Sequence, residues 1–567
     1  MPQNPSRMNR LLFFMLFAAW MLPGLVGRDP WKADEAYSFG LVLNMIETGD
    51  WVVPTLGADP FMEKPPIFYI VAGLFGKALS PLLPLHDAVR GACVLFNLLA
   101  IGCVAMASRE VNGRGTGWLA AIMLLGCLGW VHNAHMLMTD NALLAGFAMA
   151  VWGMLLGRKK PWVGGLLCGT GSGLAFLSKG LLGPGVLGIV ALGLPLLDPV
   201  WRWRKYFCFL GAILLAVVPW VSIWPFLLYQ RSPKLFMDWF WDNNFGRFLG
   251  TSALVTETQR PFFFVQKLPY FALPVFPLAL WTLWRRRANI LRQPALVLPL
   301  WIFLATLFVL SVARQAREVY ALPMLIPLSL LAVPGLSELP TRITKFAHVI
   351  LVSVFSVAAG AAWLAWIAQF NARTSLVEKI QAKIPGYTPS VYLGFLVMAL
   401  LLSLGWLLLA KGRLWPQISP EIRLESERPG SGTPEVIETA AIPKDFQLVS
   451  LWTAGIALIC GLGMTLWLPV TNANMTYRND FAGLRETLGK TPGIVGSKNL
   501  GEPQRALLHY YAGLKTWRVE TRSATNWHWF LVQGEDVPGK KPQPLDSTWR
   551  MAWEGHHHRE LFRLYRQ

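Results

Sequence analysis

Charge is scarce in this chain, and acid is scarcer than base. Of 567 residues only 15% are charged, and 51 Lys and Arg face 32 Asp and Glu, whereas 54% are hydrophobic and the mean hydropathy is +0.42. A chain so poor in charge is not an ordinary soluble enzyme; it reads as a polytopic membrane protein. The formal net charge of +19 would suggest nucleic acid in a soluble protein. Here much of the excess lies in short clusters between apolar spans, where it sets topology, so no nucleic-acid partner is expected although an anionic one is allowed. Cysteine is absent from the polar loops: Cys93, Cys103, Cys127, Cys168, Cys208 and Cys460 all fall in apolar stretches, which excludes a disulfide framework or a zinc site. No repeat of 20–50 residues is present, and no P-loop or dinucleotide fingerprint follows a strand. The glycines of Gly169-Thr170-Gly171-Ser172-Gly173 lie inside a span and read as close helix packing.

What is abundant is apolar sequence in lengths that cross a bilayer, about 20 residues each. Such runs centre near 11–27, 88–108, 117–135, 139–157, 162–178, 182–198, 207–229, 262–284, 294–312, 319–338, 346–370, 391–410 and 448–469, about thirteen spans. The first follows Arg7 and Arg10 and lacks a small-residue cleavage site, so it reads as an uncleaved signal anchor. With the N-terminus in the cytoplasm, Arg158-Lys159-Lys160, Arg202 to Lys205, Arg285-Arg286-Arg287, Arg342/Lys345 and Lys411/Arg413 all fall inside, as the positive-inside rule requires. That parity holds only if the apolar segment 67–83, after Pro65-Pro66, does not cross and lies as an interfacial or re-entrant helix. The outward loops are then 28–66, the turn at 135–140, 230–261, 313–318 and 371–390.

The expected organisation is a transmembrane region over 1–413, a flexible cytoplasmic connector over 414–446, a last span over 447–470 and a small α/β domain over 471–567 on the outer side. In that domain helical periodicity covers Asp480 to Leu488 and Pro503 to Ala512, and short strand signals cover Ile494 to Gly496 and Trp517 to Glu520.

Carboxylates and lysines beside apolar spans are costly, so each invites a functional reading next to a bland one. Asp34 and Glu35 are adjacent and on a helix would diverge by about 100°; one then suits chemistry and the other structure, unless both merely serve the helix dipole of an amphipathic surface helix over Ala36 to Ile46. Glu63-Lys64-Pro65-Pro66 joins an acid and a cation to a fixed turn and suits a phosphate, with interfacial snorkelling as the alternative. Asp140 is a second buried-acid candidate. His132 and His135 share i,i+3 spacing, a weak metal signal beside simple hydrogen bonding. Lys179, Arg247, Arg260, Arg314 and Arg317 form a candidate anion-binding rim for a phosphate-bearing lipid. Tyr320 belongs either to that rim or to an aromatic belt, and His556-His557-His558 reads as an exposed polar turn rather than a metal site.

In order along the chain stand Trp31-x-x-Asp34-Glu35, Gly49-Asp50-Trp51-x-Val53-Pro54, Glu63-Lys64-Pro65-Pro66, Arg90, Asp140, Leu177-Ser178-Lys179-Gly180, Arg247-Phe248, Arg260-Pro261-Phe262 and Tyr320-x-x-Pro323. Over roughly residues 10–330 the chain resembles the bacterial ArnT and dolichyl-phosphate-mannose protein mannosyltransferase-like group, membrane glycosyltransferases of the GT-C fold. The resemblance implies a mainly α, multi-pass inner-membrane enzyme with interfacial helices in its first outer loop and a periplasmic active site. It further implies an inverting hexosyl or pentosyl transfer from a polyprenyl-phosphate (undecaprenyl phosphate) sugar donor to lipid A, another cell-envelope glycan or a protein. On the matching positions the resemblance implies Asp34 as the principal catalytic acid and Asp140 as the second. Lys64, Arg247, Arg260 and Tyr320 hold the donor phosphate, Glu35, Lys179 and Arg90 support them, and Glu63 is the candidate ligand of a divalent metal. The chain departs from the pattern at Tyr37, where an arginine is usual, at Ala316, where a lysine is common, and at Asn244, where a histidine would partner Glu63 on a metal. A lipid-linked saccharide flippase or transporter is the alternative from another class; the charged groups gather at one outer face rather than at a midplane between repeats, which weighs against it.

Overall fold

The computed structural model describes residues 5–201, 203–249, 262–314, 316–412, 422–426, 435–440, 445–489, 495–521, 527–535 and 548–567. It divides into two compact units. The helical unit comprises Met1–Val26, Cys93–His135 and Thr139–Val470; the mixed unit comprises Gly27–Ala92, Met136–Met138 and Thr471–Gln567.

Among the described residues, eight helices are long and apolar enough to cross a membrane: Leu85–Asn112, Thr139–Gly157, Trp203–Arg231, Pro294–Val312, Glu318–Ser337, Thr341–Ala368, Leu393–Ala410 and Phe446–Gly463. The expected span 117–135 is broken, with Gly117–Leu125 and Leu128–Ala134 meeting at 74°; 262–284 is broken too, with Phe263–Phe271 and Val275–Arg285 meeting at 102°. Cys127, with extended backbone, ends the first of these breaks, and Pro274 occupies the second. Proline cannot supply the N–H that would continue the helix. The Ile67–Leu79 helix has 13 residues, about 20 Å at 1.5 Å per residue, short of the hydrocarbon thickness.

The glycine-rich stretch packs helices. The Thr139–Gly157 and Pro161–Lys179 helices lie so close that a Cβ on Gly146 would sit 2.6 Å from the Gly171 carbonyl oxygen, and one on Gly153 would sit 2.5 Å from the Cys168 nitrogen. Small residues permit this approach, which suits a setting where packing rather than water drives association.

In the mixed unit a five-stranded sheet runs in the order Thr516–Arg518, Val495–Lys498, Trp529–Glu535, Glu560–Arg566, Arg550–His557. Val495–Lys498 is parallel to both neighbours and the other two pairings are antiparallel, with Leu531 opposite Leu564. One face packs Val495, Leu531, Phe562 and Leu564 against Phe481 and Leu484 of the Arg478–Leu488 helix and Leu507 and Leu508 of the Glu502–Ala512 helix. The other gathers Trp517, Trp527, Phe530, Trp549 and Tyr565.

The Asp34–Thr48 helix is buried from Glu35 through Met45, not amphipathic at a surface as its sequence suggested. The Glu502–Ala512 helix covers it so closely that a Cβ on Gly40 would lie 2.5 Å from the Ala506 Cβ. Residues 414–421, 427–434 and 441–444 of the expected connector lie outside the described residues, while Ile422–Ser426 and Glu435–Ala440 pair as antiparallel strands.

Candidate active site

Two groups of buried charge hold the site residues expected from the sequence, one in each unit. In the mixed unit, helix geometry sends the adjacent acids to different fates. Glu35 is fully buried; Arg28 donates to both its oxygens at 2.7 and 2.8 Å, Arg90 Nε donates to Oε1 at 3.0 Å, and the Trp31 N–H donates to Oε2 at 3.2 Å. Burial alone would raise the Glu35 pKa, but the Arg28 and Arg90 charges outweigh it and hold the carboxyl below its usual range. Arg90 also donates to Asp87 Oδ1 at 2.6 Å and to the Asp29 carbonyl at 3.2 Å. Glu35 and Arg90 therefore fasten the loop that carries the first acid.

Asp34 lies about 100° around the helix from Glu35, on the face shared with Tyr37 three residues on. The Tyr37 hydroxyl donates to Asp34 Oδ1 at 2.8 Å, and Lys64 donates to the same hydroxyl. The Lys64 ammonium also lies 4.8 Å from the centre of the Tyr37 ring. Burial first, then the Asp34 carboxylate, push the Tyr37 phenol well above its ordinary pKa. It keeps its proton at any physiological pH. In the sequence Tyr37 stood only as a departure; its i,i+3 spacing from Asp34 was the signal for this contact.

The C-terminal residues fasten the same loop. Asn472 Oδ1 accepts from the Asp29 N–H at 2.9 Å and from Trp31 Nε1 at 3.0 Å, although the pairs are 443 and 441 residues apart. Asp29 also accepts from Thr476 at 2.7 Å and from Arg478. Burial opposes ionisation of Asp29, yet these hydrogen bonds and the Arg478 charge leave its pKa lowered. Lys32 pairs with Glu560, which further accepts from Gln504 and from Tyr477.

In the helical unit Asp140 opens the Thr139–Gly157 helix and Lys179 closes the Pro161–Lys179 helix. Each charge sits at the helix end whose dipole favours it. Lys179 Nζ donates to Asp140 Oδ1 at 2.6 Å, both side chains being almost wholly buried, and lies 4.1 Å above the Tyr320 ring. Leu143, Phe147, Leu182, Tyr320 and Pro323 line a cleft with Lys179. After Lys179 the chain turns through Gly180 at φ +71°, where a Cβ would lie 2.0 Å from Asn244 Oδ1; only glycine fits. Asn244 uses that oxygen to accept the Leu181 N–H at 2.9 Å and donates to the Trp239 carbonyl at 2.8 Å.

Arg260 and the Arg247 side chain lie outside the described residues, and Arg314 and Arg317 are exposed. His135 is buried between the carbonyls of Val131 and Trp20, while His132 is exposed. His557 stacks on Tyr477 and bonds Asp480 at 2.7 Å. Glu63 is half-buried. Among the described residues no group of three or more His, Cys, Asp or Glu could hold a metal ion, and Asn244 is committed to backbone groups. Among the described residues the donor set at Glu63 does not fit a metal centre.

Residues 64–224 match the family described as dolichyl-phosphate-mannose-protein mannosyltransferase. The chain is 26% identical over 346 residues to an undecaprenyl phosphate-alpha-4-amino-4-deoxy-L-arabinose arabinosyl transferase of Pseudomonas savastanoi pv. phaseolicola, covering 59% of this chain and 62% of that protein, just under two thirds of its length. It is 24% identical to the transferase of that description from Serratia proteamaculans, covering 78% of this chain and 80% of the relative. Its fold is similar to that of ArnT from Cupriavidus metallidurans bound to undecaprenyl phosphate, with a TM-score of 0.67 at 18% identity over 99% of this chain and 98% of the other.

Proposed function

We propose that this chain, similar to the ArnT-like group of GT-C membrane glycosyltransferases, moves a single sugar from a polyprenyl-phosphate donor to an acceptor in the cell envelope. The chain is a glycosyltransferase of a multi-pass inner-membrane kind; the finer reading places the reaction on the periplasmic side and inverts the anomeric centre. The observation that carries it is the chain of contacts from Asp34 through the Tyr37 hydroxyl to Lys64. A carboxylate and an ammonium joined through one phenol supply a base and a countercharge, the two needs of a displacement at an anomeric carbon.

The step balances as a single displacement. The acceptor hydroxyl gives its proton to Asp34 as its oxygen bonds to the anomeric carbon. The anomeric carbon–oxygen bond to phosphate breaks, and the lipid phosphate leaves with the electron pair. Lys64 stabilises the charge gathering on that phosphate, an effect that is strong where water is sparse. Glu35 is clamped by two arginines and takes no part in proton transfer; it holds the Asp34 loop. In the helical unit Lys179, steadied by Asp140 and Tyr320 beside an apolar cleft, is a cation suited by itself to an anionic group. No step runs through a metal.

The test is mass spectrometry of envelope lipids, glycans and proteins from a deletion strain carrying the wild-type chain or Asp34→Asn. One species should disappear on deletion, return with the wild type and stay absent with the variant, whose membrane level should be normal. Since a positioned base contributes about 10²–10⁴-fold in rate, normal transfer by Asp34→Asn would sink the assignment. Loss of no glycosylated species on deletion would sink the transferase reading.

A further inference from the structure

We infer that the Tyr37 hydroxyl couples capture of the donor phosphate by Lys64 to release of Asp34 as a base. The inference rests on the transferase reading above and makes Tyr37 a positioning residue within it.

A phenol has one proton. Tyr37 gives that proton to Asp34 Oδ1 at 2.8 Å, so its contact with Lys64 runs the other way, the ammonium donating to the phenol oxygen. A cation donating to that oxygen polarises the O–H bond and strengthens its donation onward. A carboxylate that accepts a stronger hydrogen bond is a weaker base. With Lys64 in place, Asp34 is thus held ionised but restrained.

The two ends of this chain differ in freedom. Tyr37 is buried at 6% exposure, its ring 5.5 Å from that of Phe61, so the phenol is a fixed pivot. Lys64 is half-buried and ends a flexible stem just before Pro65-Pro66. Asp34, Glu63 and Tyr69 are the other titratable groups acting on the phenol, and Lys64 is the cation bonded to it. An anionic phosphate that draws the Lys64 ammonium away removes the polarisation, loosens the phenol's hold on Asp34 and raises its basicity. Base strength then rises only when the donor is present.

The experiment measures steady-state transfer by the full-length chain in lipid nanodiscs, with the donor and acceptor identified by the envelope comparison above, and binding of undecaprenyl phosphate alone. Tyr37→Phe keeps the ring and its packing but removes the restraint on Asp34, so it should raise the acid limb of kcat/KM for donor to that of kcat while leaving undecaprenyl phosphate binding within about twofold. Lys64→Met should weaken that binding, and adding Tyr37→Phe to it should cost less than about threefold more, because no relay is left to lose. In the wild type the acid limb of kcat should lie at higher pH than that of kcat/KM for donor, since the first reports the donor-bound enzyme; in Tyr37→Phe the two limbs should coincide. Should Tyr37→Phe fail to fold, 3-fluorotyrosine at position 37 keeps the shape with a stronger donor and should move the acid limb of kcat/KM to lower pH. Acid limbs that stay apart in Tyr37→Phe, or a limb that Tyr37→Phe shifts just as far beside Lys64→Met, overturn the coupling while transfer by the wild type leaves the enzyme reading intact. Absence of any transferred species from the wild type overturns both.

Discussion

In the helical unit charge comes as a pair; in the mixed unit it comes as a net. Asp140 has Lys179, and apolar side chains line the cleft beside them. Glu35 has two arginines and a backbone N–H, and through Arg90 and Asp29 the net reaches Asp87, Arg478, Asn472 and Thr476. Both arrangements satisfy buried charge, but they respond differently to an arriving anion. A lysine with one carboxylate can exchange part of its interaction for a phosphate, whereas an acid clamped on several sides cannot move without unfolding its surroundings. The net fixes the loop that carries Asp34, and the pair can trade its single partner for another anion.

The sharpest way to break this contrast is to damage the net. Glu35→Ala leaves the Arg28 and Arg90 charges buried without their shared acid, which should destabilise the mixed unit by about 3–5 kcal/mol. Thermal unfolding in detergent should show an early transition, and transfer should be lost along with it. A near-normal melting profile would mean that Glu35 is not the keystone its burial suggests. The pair predicts the opposite division. Replacing both members with apolar residues, as in Asp140→Leu with Lys179→Met, removes the charges together and should leave stability within about 1 kcal/mol. Transfer should nevertheless fall by about 100-fold or more, a loss of two phosphate- or substrate-directed groups at about 1.4 kcal/mol per tenfold. If stability and activity fell together, the pair would be structural and its difference from the net would vanish.

Part of this contrast was legible in the sequence. The divergence of Asp34 from Glu35 follows from 100° per residue, and Asp87-x-x-Arg90 has the spacing of a helical ion pair. Asp140 and Lys179 stood out because acids and lysines inside apolar runs are rare. The net was hidden for a different reason. Asn472, Arg478 and Glu560 reach the 29–32 segment across more than four hundred residues, and no local period records such a pairing. The last strands were missed because the sheet is covered on both sides. In Glu560–Arg566, Leu561 and Phe562, then Leu564 and Tyr565, are all buried, so the alternation that marks a half-exposed strand is absent. For the same reason the Asp34–Thr48 helix looked amphipathic: Asn44 and Ser38 are polar, yet the Glu502–Ala512 helix and the first-loop strand Thr55–Leu56 enclose them.

Acid should separate the units more gently. His509 donates through Nε2 to Glu47 at 2.9 Å, while its Nδ1 is buried with no hydrogen-bond partner among the described residues. Burial therefore lowers its pKa below 6.5 despite the Glu47 charge. A histidine with a lowered folded pKa takes its proton more readily when unfolded, so its contribution is complete above pH 6.5 and is lost as pH falls from there toward the folded value. Glu35 and Asp29, whose pKa values are also lowered, contribute fully above their ordinary carboxylate values and add a second loss at more acid pH. The melting temperature should thus fall in two stages, and His509→Gln should reduce the first, to which His86, its pKa also lowered by burial, contributes as well. A single stage unaffected by that substitution would place the acid sensitivity elsewhere.

The smallest expected effect is at the edge of the net, and it tests whether the net reaches the reaction. Lys32 is 42% exposed at its side chain and pairs with Glu560 at 19%. Such a partly solvated pair contributes about 0–1 kcal/mol, and Glu560 retains Gln504 and Tyr477 as donors when the lysine is gone. Lys32→Ala should therefore shift unfolding by no more than about 1 kcal/mol. Lys32 precedes Asp34 by two residues, however, so any loss of position there passes directly to the acid. A fall in kcat larger than that stability change, with donor KM unmoved, would mean that the C-terminal strands tune the placement of Asp34. Unaltered kcat would confine their role to stability, and would leave Asn472 and Arg478, which hold the loop at Asp29 and Trp31, as the contacts that set its geometry.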